Sequence, residues 1–158
     1  IVSFSPFQIH SLQHGIKVIE FQTPHYERLI VMFGQKVVTQ NNWNSEEALE
    51  KVITNEYKPP KLKLLYKSQG ILLERFVDFP NFTADRLLLS PKMTWEEKLK
   101  NHYQILIAIS GQALIINEKE ETVTINIEEA LFLPISMGRY YLKNTGDKPL
   151  ICLMAKPK

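Results

Sequence analysis

One cysteine, six glycines and four histidines are all that 158 residues hold of the types that most often announce chemistry. Cys152, being single, permits no internal disulfide and excludes a zinc site built on thiolates. A reducing, cytoplasmic home is the expectation. The glycines fall singly along the chain, so neither a P-loop nor a dinucleotide-binding fingerprint can be assembled. An excess of one charge is missing too: 19 Lys and Arg stand against 17 Asp and Glu, a formal net charge of +2. That is far from the basic excess of a protein that binds by neutralising phosphates, and no nucleic-acid partner is expected. No apolar run reaches the ~18 residues of a membrane-crossing helix. Ile1 to His10 lacks the basic start and apolar stretch of a signal peptide. Neither membrane insertion nor secretion is expected.

What remains is an ordinary globular composition, 44% hydrophobic and 23% charged, at a length suited to one domain. Three stretches differ in pattern. Between Ile16 and Thr39, short β-rich runs (Ile16 to Gln22, Leu29 to Phe33, Lys36 to Thr39) are punctuated by Gly15, Pro24 and Gly34. From Asn44 to about Thr54 the sequence predicts one helix: Asn44 caps it, Glu47 completes a capping box, and Ala48, Leu49, Val52 and Ile53 form one apolar face. Lys51 follows Glu47 by four residues, a stabilising spacing, and Pro59-Pro60 forbids continuation. Lys58 to Lys67 then reads as an exposed, lysine-bearing connector.

The third stretch, Gly70 to Lys156, is a succession of strand signals: Ile71 to Phe76, Ala84 to Leu89, Gln104 to Ile109, Gln112 to Ile116, Thr122 to Ile127, Ala130 to Leu133, Tyr140 to Leu142 and Leu150 to Met154. Val123, Ile125 and Ile127 alternate with polar residues, as in a half-buried antiparallel strand. Ser110-Gly111, Asn117 to Lys119, Glu128-Glu129 and Asn144 to Asp147 supply the turns. So many short strands at regular spacing predict a mainly all-β protein, a small jelly roll with one short connecting helix.

The run Ser110 to Ile116, followed by Glu128 to Pro134 and Tyr140 to Asp147, resembles the second half of a cupin barrel, a double-stranded β-helix. Ser5 to Leu12 with Gly15 to Gln22 resembles a second cupin motif from another module. Two modules joined by a helix, with Glu20-x-Gln22 after His10 and Tyr26-Glu27-Arg28 downstream, are similar to the C-terminal part of type I mannose-6-phosphate isomerases, which are bicupins. The resemblance implies that residues 1–40 are the closing strands of a first, truncated module, 41–67 a helix and basic connector, and 68–158 a complete second barrel. It also implies that Ile1 lies inside that first module.

By the same resemblance His10 falls at a metal-ligand position, the metal being zinc or a similar divalent ion in the parent protein, and Arg28 falls near a sugar phosphate substrate. A guanidinium fork suits a phosphate or a developing enediolate. The Gln22-to-Arg28 spacing is about two residues shorter than in the mainstream isomerases, which leaves the role of Arg28 open. Glu20 and Gln22 lie two apart on a presumed strand and so share a face, with Glu20 a catalytic and Gln22 a substrate-binding candidate, or both a polar pair at the barrel mouth. His14 and His25 read as surface or capping residues, and Ser11 beside His10 faces the other way on a strand.

In the second barrel, Gln104 stands where a metal-binding cupin needs glutamate, Lys98 and Lys100 stand in the histidine region, and Tyr140 stands where the second motif needs histidine. That barrel is expected to bind no metal. Two functions follow as expectations: a parent acting as a metal-dependent aldose-ketose isomerase, with this chain alone inactive, or a non-catalytic cupin module for small-ligand binding or assembly. A homodimer through the strands of residues 1–40 is expected as well.

Overall fold

A computed structural model describes residues 2, 4, 7–12, 14–22, 29, 45–54, 58 and 61–158. The chain divides into two compact units at Pro59/Pro60, and each is described by itself.

In the first unit, helix α1 spans Ser45–Lys51. Glu46 and Glu47 lie at the positive end of its dipole, and Lys51 Nζ reaches Glu47 Oε1 at 2.6 Å, the predicted i,i+4 pair. The helix is shorter than predicted. Of its apolar face only Ala48 is buried, whereas Leu49 and Ile53 are exposed. Asn44, the predicted cap, lies outside the described residues. An isolated parallel bridge joins Gln8 to Ile53, whose N–H donates to Phe7 O at 2.9 Å. Residues 16–22 form no strand, which corrects the β reading of that run: β propensity is local, but a strand needs a neighbour for its backbone groups, and none is present among the described residues.

The second unit is all β. Ten strands follow in order: β1 Lys63–Ser68, β2 Ile71–Asp78, β3 Phe82–Leu89, β4 Thr94–Lys98, β5 Gln104–Ser110, β6 Ala113–Asn117, β7 Thr122–Ile125, β8 Ala130–Leu133, β9 Arg139–Asn144 and β10 Leu150–Pro157. A short 3-10 turn, Ile135–Met137, precedes β9. They make a six-stranded sheet in the order β1-β2-β3-β10-β5-β8 and a four-stranded sheet in the order β4-β9-β6-β7. Every pairing is antiparallel. The predicted jelly roll is thus the observed architecture, and all eight predicted strand signals of this stretch carry strands. Two strands escaped prediction: β1, inside the presumed connector, and β4, whose Thr-Trp-Glu-Glu-Lys run has no apolar alternation.

Register fixes which residues look inward. Leu73, Leu87 and Cys152 lie opposite one another across β2, β3 and β10, with Ala108 of β5 next in the row. Together with Leu89, Leu106, Ile115, Ile125, Leu142 and Leu150 they form the core between the sheets. The turns hold at the predicted places. Gly111 takes φ +78 with Leu150 Cα 2.9 Å from where a Cβ would stand. Asn144, fully buried, donates to Leu89 O and Lys148 O at 3.0 and 2.9 Å and accepts from Gly146 N at 3.0 Å, which ties the Asn144-to-Asp147 turn to β3.

Candidate functional site

The inward rows of the barrel change from apolar to polar toward one end. Leu73 and Leu87 give way to Arg75 and Asp85, direct partners on β2 and β3. Arg75 Nε donates to Asp85 Oδ1 at 2.8 Å and its Nη2 to Oδ2 at 3.1 Å, a bidentate pair with Asp85 almost fully buried. That hydrogen bonding, more than the ordinary attraction between the charges, pushes the Arg75 guanidinium pKa further up. One step beyond on β3 is Thr83, buried, whose Oγ1 has no hydrogen-bond partner. On β5, Gln104 continues the inward row of Leu106 and Ala108.

The opposing sheet supplies the other wall. Tyr140 of β9 shares its inward face with Leu142 and Asn144, and Glu97 of β4 is its direct cross-strand partner. Tyr140 Oη donates to Gln104 Oε1 at 2.6 Å, joining the two sheets through their interiors. Both side chains are fully buried. Burial first, and the nearby Glu97 carboxylate second, push the Tyr140 hydroxyl pKa well above 10.0, so it stays a neutral donor. Trp95 Nε1 donates to Glu97 Oε2 at 3.3 Å and holds that carboxylate in place.

The positions that the cupin resemblance aligns with metal ligands, Gln104 and Tyr140, are therefore brought together, as such a site would require. They carry an amide and a phenol bonded to one another. That donor set does not fit a divalent metal, since the phenol is held neutral and its partner is an uncharged amide oxygen already accepting a hydrogen bond. Lys98 and Lys100, exposed and cationic, add no ligands.

The sequence-nominated residues of the first unit are placed differently. His10 is exposed; its Nδ1 lies 2.9 Å from Gln8 O, and its ring stacks on Phe4 at 4.4 Å. Glu20 and Gln22 are exposed and lie on no strand. Arg28 and His25 lie outside the described residues. Among the described residues no group of three or more His, Cys, Asp and Glu side chains could hold a metal ion.

Sequence reasoning missed Arg75, Thr83, Asp85 and Glu97. For Asp85 a signal existed. It alternates with Leu87 and Leu89, so it had to face inward, and an inward carboxylate demands a partner. For Glu97 none did, because β4 lacks the alternation that marks a strand.

Solved structures share this architecture. The double-stranded β-helix protein from Klebsiella pneumoniae superposes with a TM-score of 0.53 at 12% identity, over 59% of this chain and 82% of that one. The fold is a cupin-type double-stranded β-helix. The polyketide cyclase RemF from Streptomyces resistomycificus matches with a TM-score of 0.52 at 12% identity, over 66% of this chain and 80% of that one. KdgF from Halomonas sp. matches with a TM-score of 0.51 at 14% identity, covering 61% and 86%. At such identities the likeness concerns the fold and leaves function to the site. No family model and no curated protein matches the chain. Among the described residues no helix is long and apolar enough to cross a membrane.

Proposed function

We propose that the barrel of this chain is a non-catalytic cupin module within a mannose-6-phosphate isomerase-like protein. The observation that carries this reading is the Tyr140–Gln104 hydrogen bond, which occupies the interior where a catalytic cupin converges its ligands. A buried, neutral, mutually satisfied pair stabilises a core; it offers neither a charged ligand nor a free base.

The finer part of the proposal, aldose-ketose isomerisation of a sugar phosphate such as mannose 6-phosphate, rests on the resemblance of the His10-to-Arg28 run alone. In it His10 is a zinc ligand, Glu20 and Arg28 act near the substrate and Gln22 binds it, in the cytoplasm. The exposed setting of His10, Glu20 and Gln22 supports no chemical step by this chain alone.

Metal analysis and an isomerase assay of the purified 158-residue chain, with and without added zinc, test the module reading. The expected result is substoichiometric zinc, unchanged by His10→Ala, and no turnover of mannose 6-phosphate. One zinc per chain, or turnover abolished by His10→Ala, would overturn it.

A further inference from the structure

Basic side chains gather on edge strand β1 of the six-stranded sheet, and acidic ones gather in the turns on either side of β7, next in the chain to the other edge strand, β8. Strand β1 at one edge is exposed along its whole length and belongs to a stretch, residues 58–73, with four lysines and no acid. At the other edge is β8, and β7, the edge of the second sheet, shares a cleft with it. Between Glu118 and Glu129 the chain has five glutamates and a single lysine, all exposed. Glu128 and Glu129 lead into β8 and bond to the Ala108 backbone of β5, whereas Glu118, Glu120 and Glu121 lie in the turn before β7.

Both edges are also apolar. Leu64 of β1 is 57% exposed and Phe132 of β8 is 62% exposed, with Leu62, Tyr66, Val123, Ile127 and Ile135 exposed as well. Register puts Leu64 and Phe132 on the same, outward face of the sheet, Leu64 through Glu74 and Phe132 through Ile105. A cleft of about 130 Å³ opens between β7 and β8, lined by Ile115, Val123, Leu131, Phe132, Pro134 and Met137.

We infer that the acidic β7/β8 edge docks the basic β1 edge of a second copy of this chain, head to tail. Direction agrees: the six strands alternate, so β1 and β8 run opposite ways, and a copy set beside the first brings its β1 antiparallel to β8. Leu64 then meets Phe132 on one face, and the cleft takes an apolar side chain of the incoming strand. Charge selects this pairing over the symmetric ones. Lysines on β1 oppose β1 against β1, as edge lysines ordinarily do, and glutamates oppose the acidic edge against itself. Self-association by this route uses the barrel's own edges and is separate from the homodimer contact expected through residues 1–40.

Sedimentation of the 158-residue chain at low and high salt tests this. Association beyond the monomer is expected at low salt, weakening as salt screens the edges. The charge reversals Lys61→Glu/Lys67→Glu and Glu120→Lys/Glu128→Lys alter exposed side chains, and circular dichroism confirms that each variant folds. Each is expected to raise the apparent dissociation constant by at least about tenfold. Mixing the two variants restores association, because each then offers the edge the other lacks. A monomer at low salt, indifference to both reversals, or loss without restoration on mixing would each overturn the inference.

Discussion

Tyr140 and Gln104, 36 residues apart in the chain, meet in the barrel interior with the phenol donating to the amide oxygen at 2.6 Å. The bond joins the four-stranded sheet to the six-stranded one where both side chains are shut off from water. Tyr140→Phe keeps the ring and removes the donor, leaving the buried Gln104 oxygen unsatisfied. A loss of about 1–3 kcal/mol in urea unfolding is expected. Tyr140→Phe combined with Gln104→Leu recovers part of that loss, since two apolar groups leave nothing unpaired. A single-variant effect below about 0.3 kcal/mol would show the bond to be incidental.

Alkaline pH probes the same interior. Burial raises the Tyr140 hydroxyl well above 10.0 and the Cys152 thiol from 9.0 to about 12. Both groups hold their protons more tightly folded than unfolded, so their contribution is fully present below about pH 9 and is lost as pH rises toward the folded values. Stability is expected to fall above pH 9, by up to about 1.4 kcal/mol per pH unit for each group. In Cys152→Ala the decline between pH 9 and 10 becomes shallower. An unchanged slope, read from urea midpoints at each pH, would remove Cys152 from the account.

The barrel holds two ion pairs across β2 and β3, on opposite faces. Arg75–Asp85 points inward and Arg86–Glu74 outward. Asp85→Ala removes the bidentate partner of Arg75 and leaves it only the more distant Asp78 carboxylate, at 4.0 Å, and is expected to cost about 3 kcal/mol. Glu74→Ala, at the more exposed pair, is expected to cost about 1 kcal/mol or less. Thermal or urea unfolding decides; equal costs would mean that the inward pair is as solvated as the outward one.

Gly111 and Gly70 both adopt positive φ, +78 and +80, but differ in what a side chain would meet. At Gly70 the nearest atoms belong to the flexible Met93 side chain, at 3.1 Å, whereas at Gly111 they are the backbone of Leu150 and Pro149, at 2.9 Å. Ala at Gly70 is expected to cost about 1 kcal/mol for conformation alone. Ala at Gly111 adds a backbone displacement and costs at least 1 kcal/mol more, by differential scanning calorimetry. Equal penalties would show that the β10 backbone gives way.

Much of the barrel was legible because its signals are local. Val123, Ile125 and Ile127 alternate with polar residues, Ala84 to Leu89 is a β-prone run, Gly111 and Asn144 mark turns, and Glu47 with Lys51 marks a helix turn. Each is read within a few residues; the structure keeps the strands, the turns and the helix pair, though of the β7 alternation only Ile125 is buried while Val123 and Ile127 are exposed. The same logic misled at residues 16–22, a β-rich run for which no neighbouring strand is present among the described residues.

By itself, the sequence determined the jelly-roll class, most of the strands and the absence of histidine and glutamate from the second barrel's ligand positions, since composition and short-range period suffice for these. Only the tertiary structure decided that β1 and β4 are strands, that Asp85 finds Arg75 and that Gln104 bonds to Tyr140. Those depend on pairing between residues remote in the chain, and antiparallel register, unlike alternation, leaves no local mark.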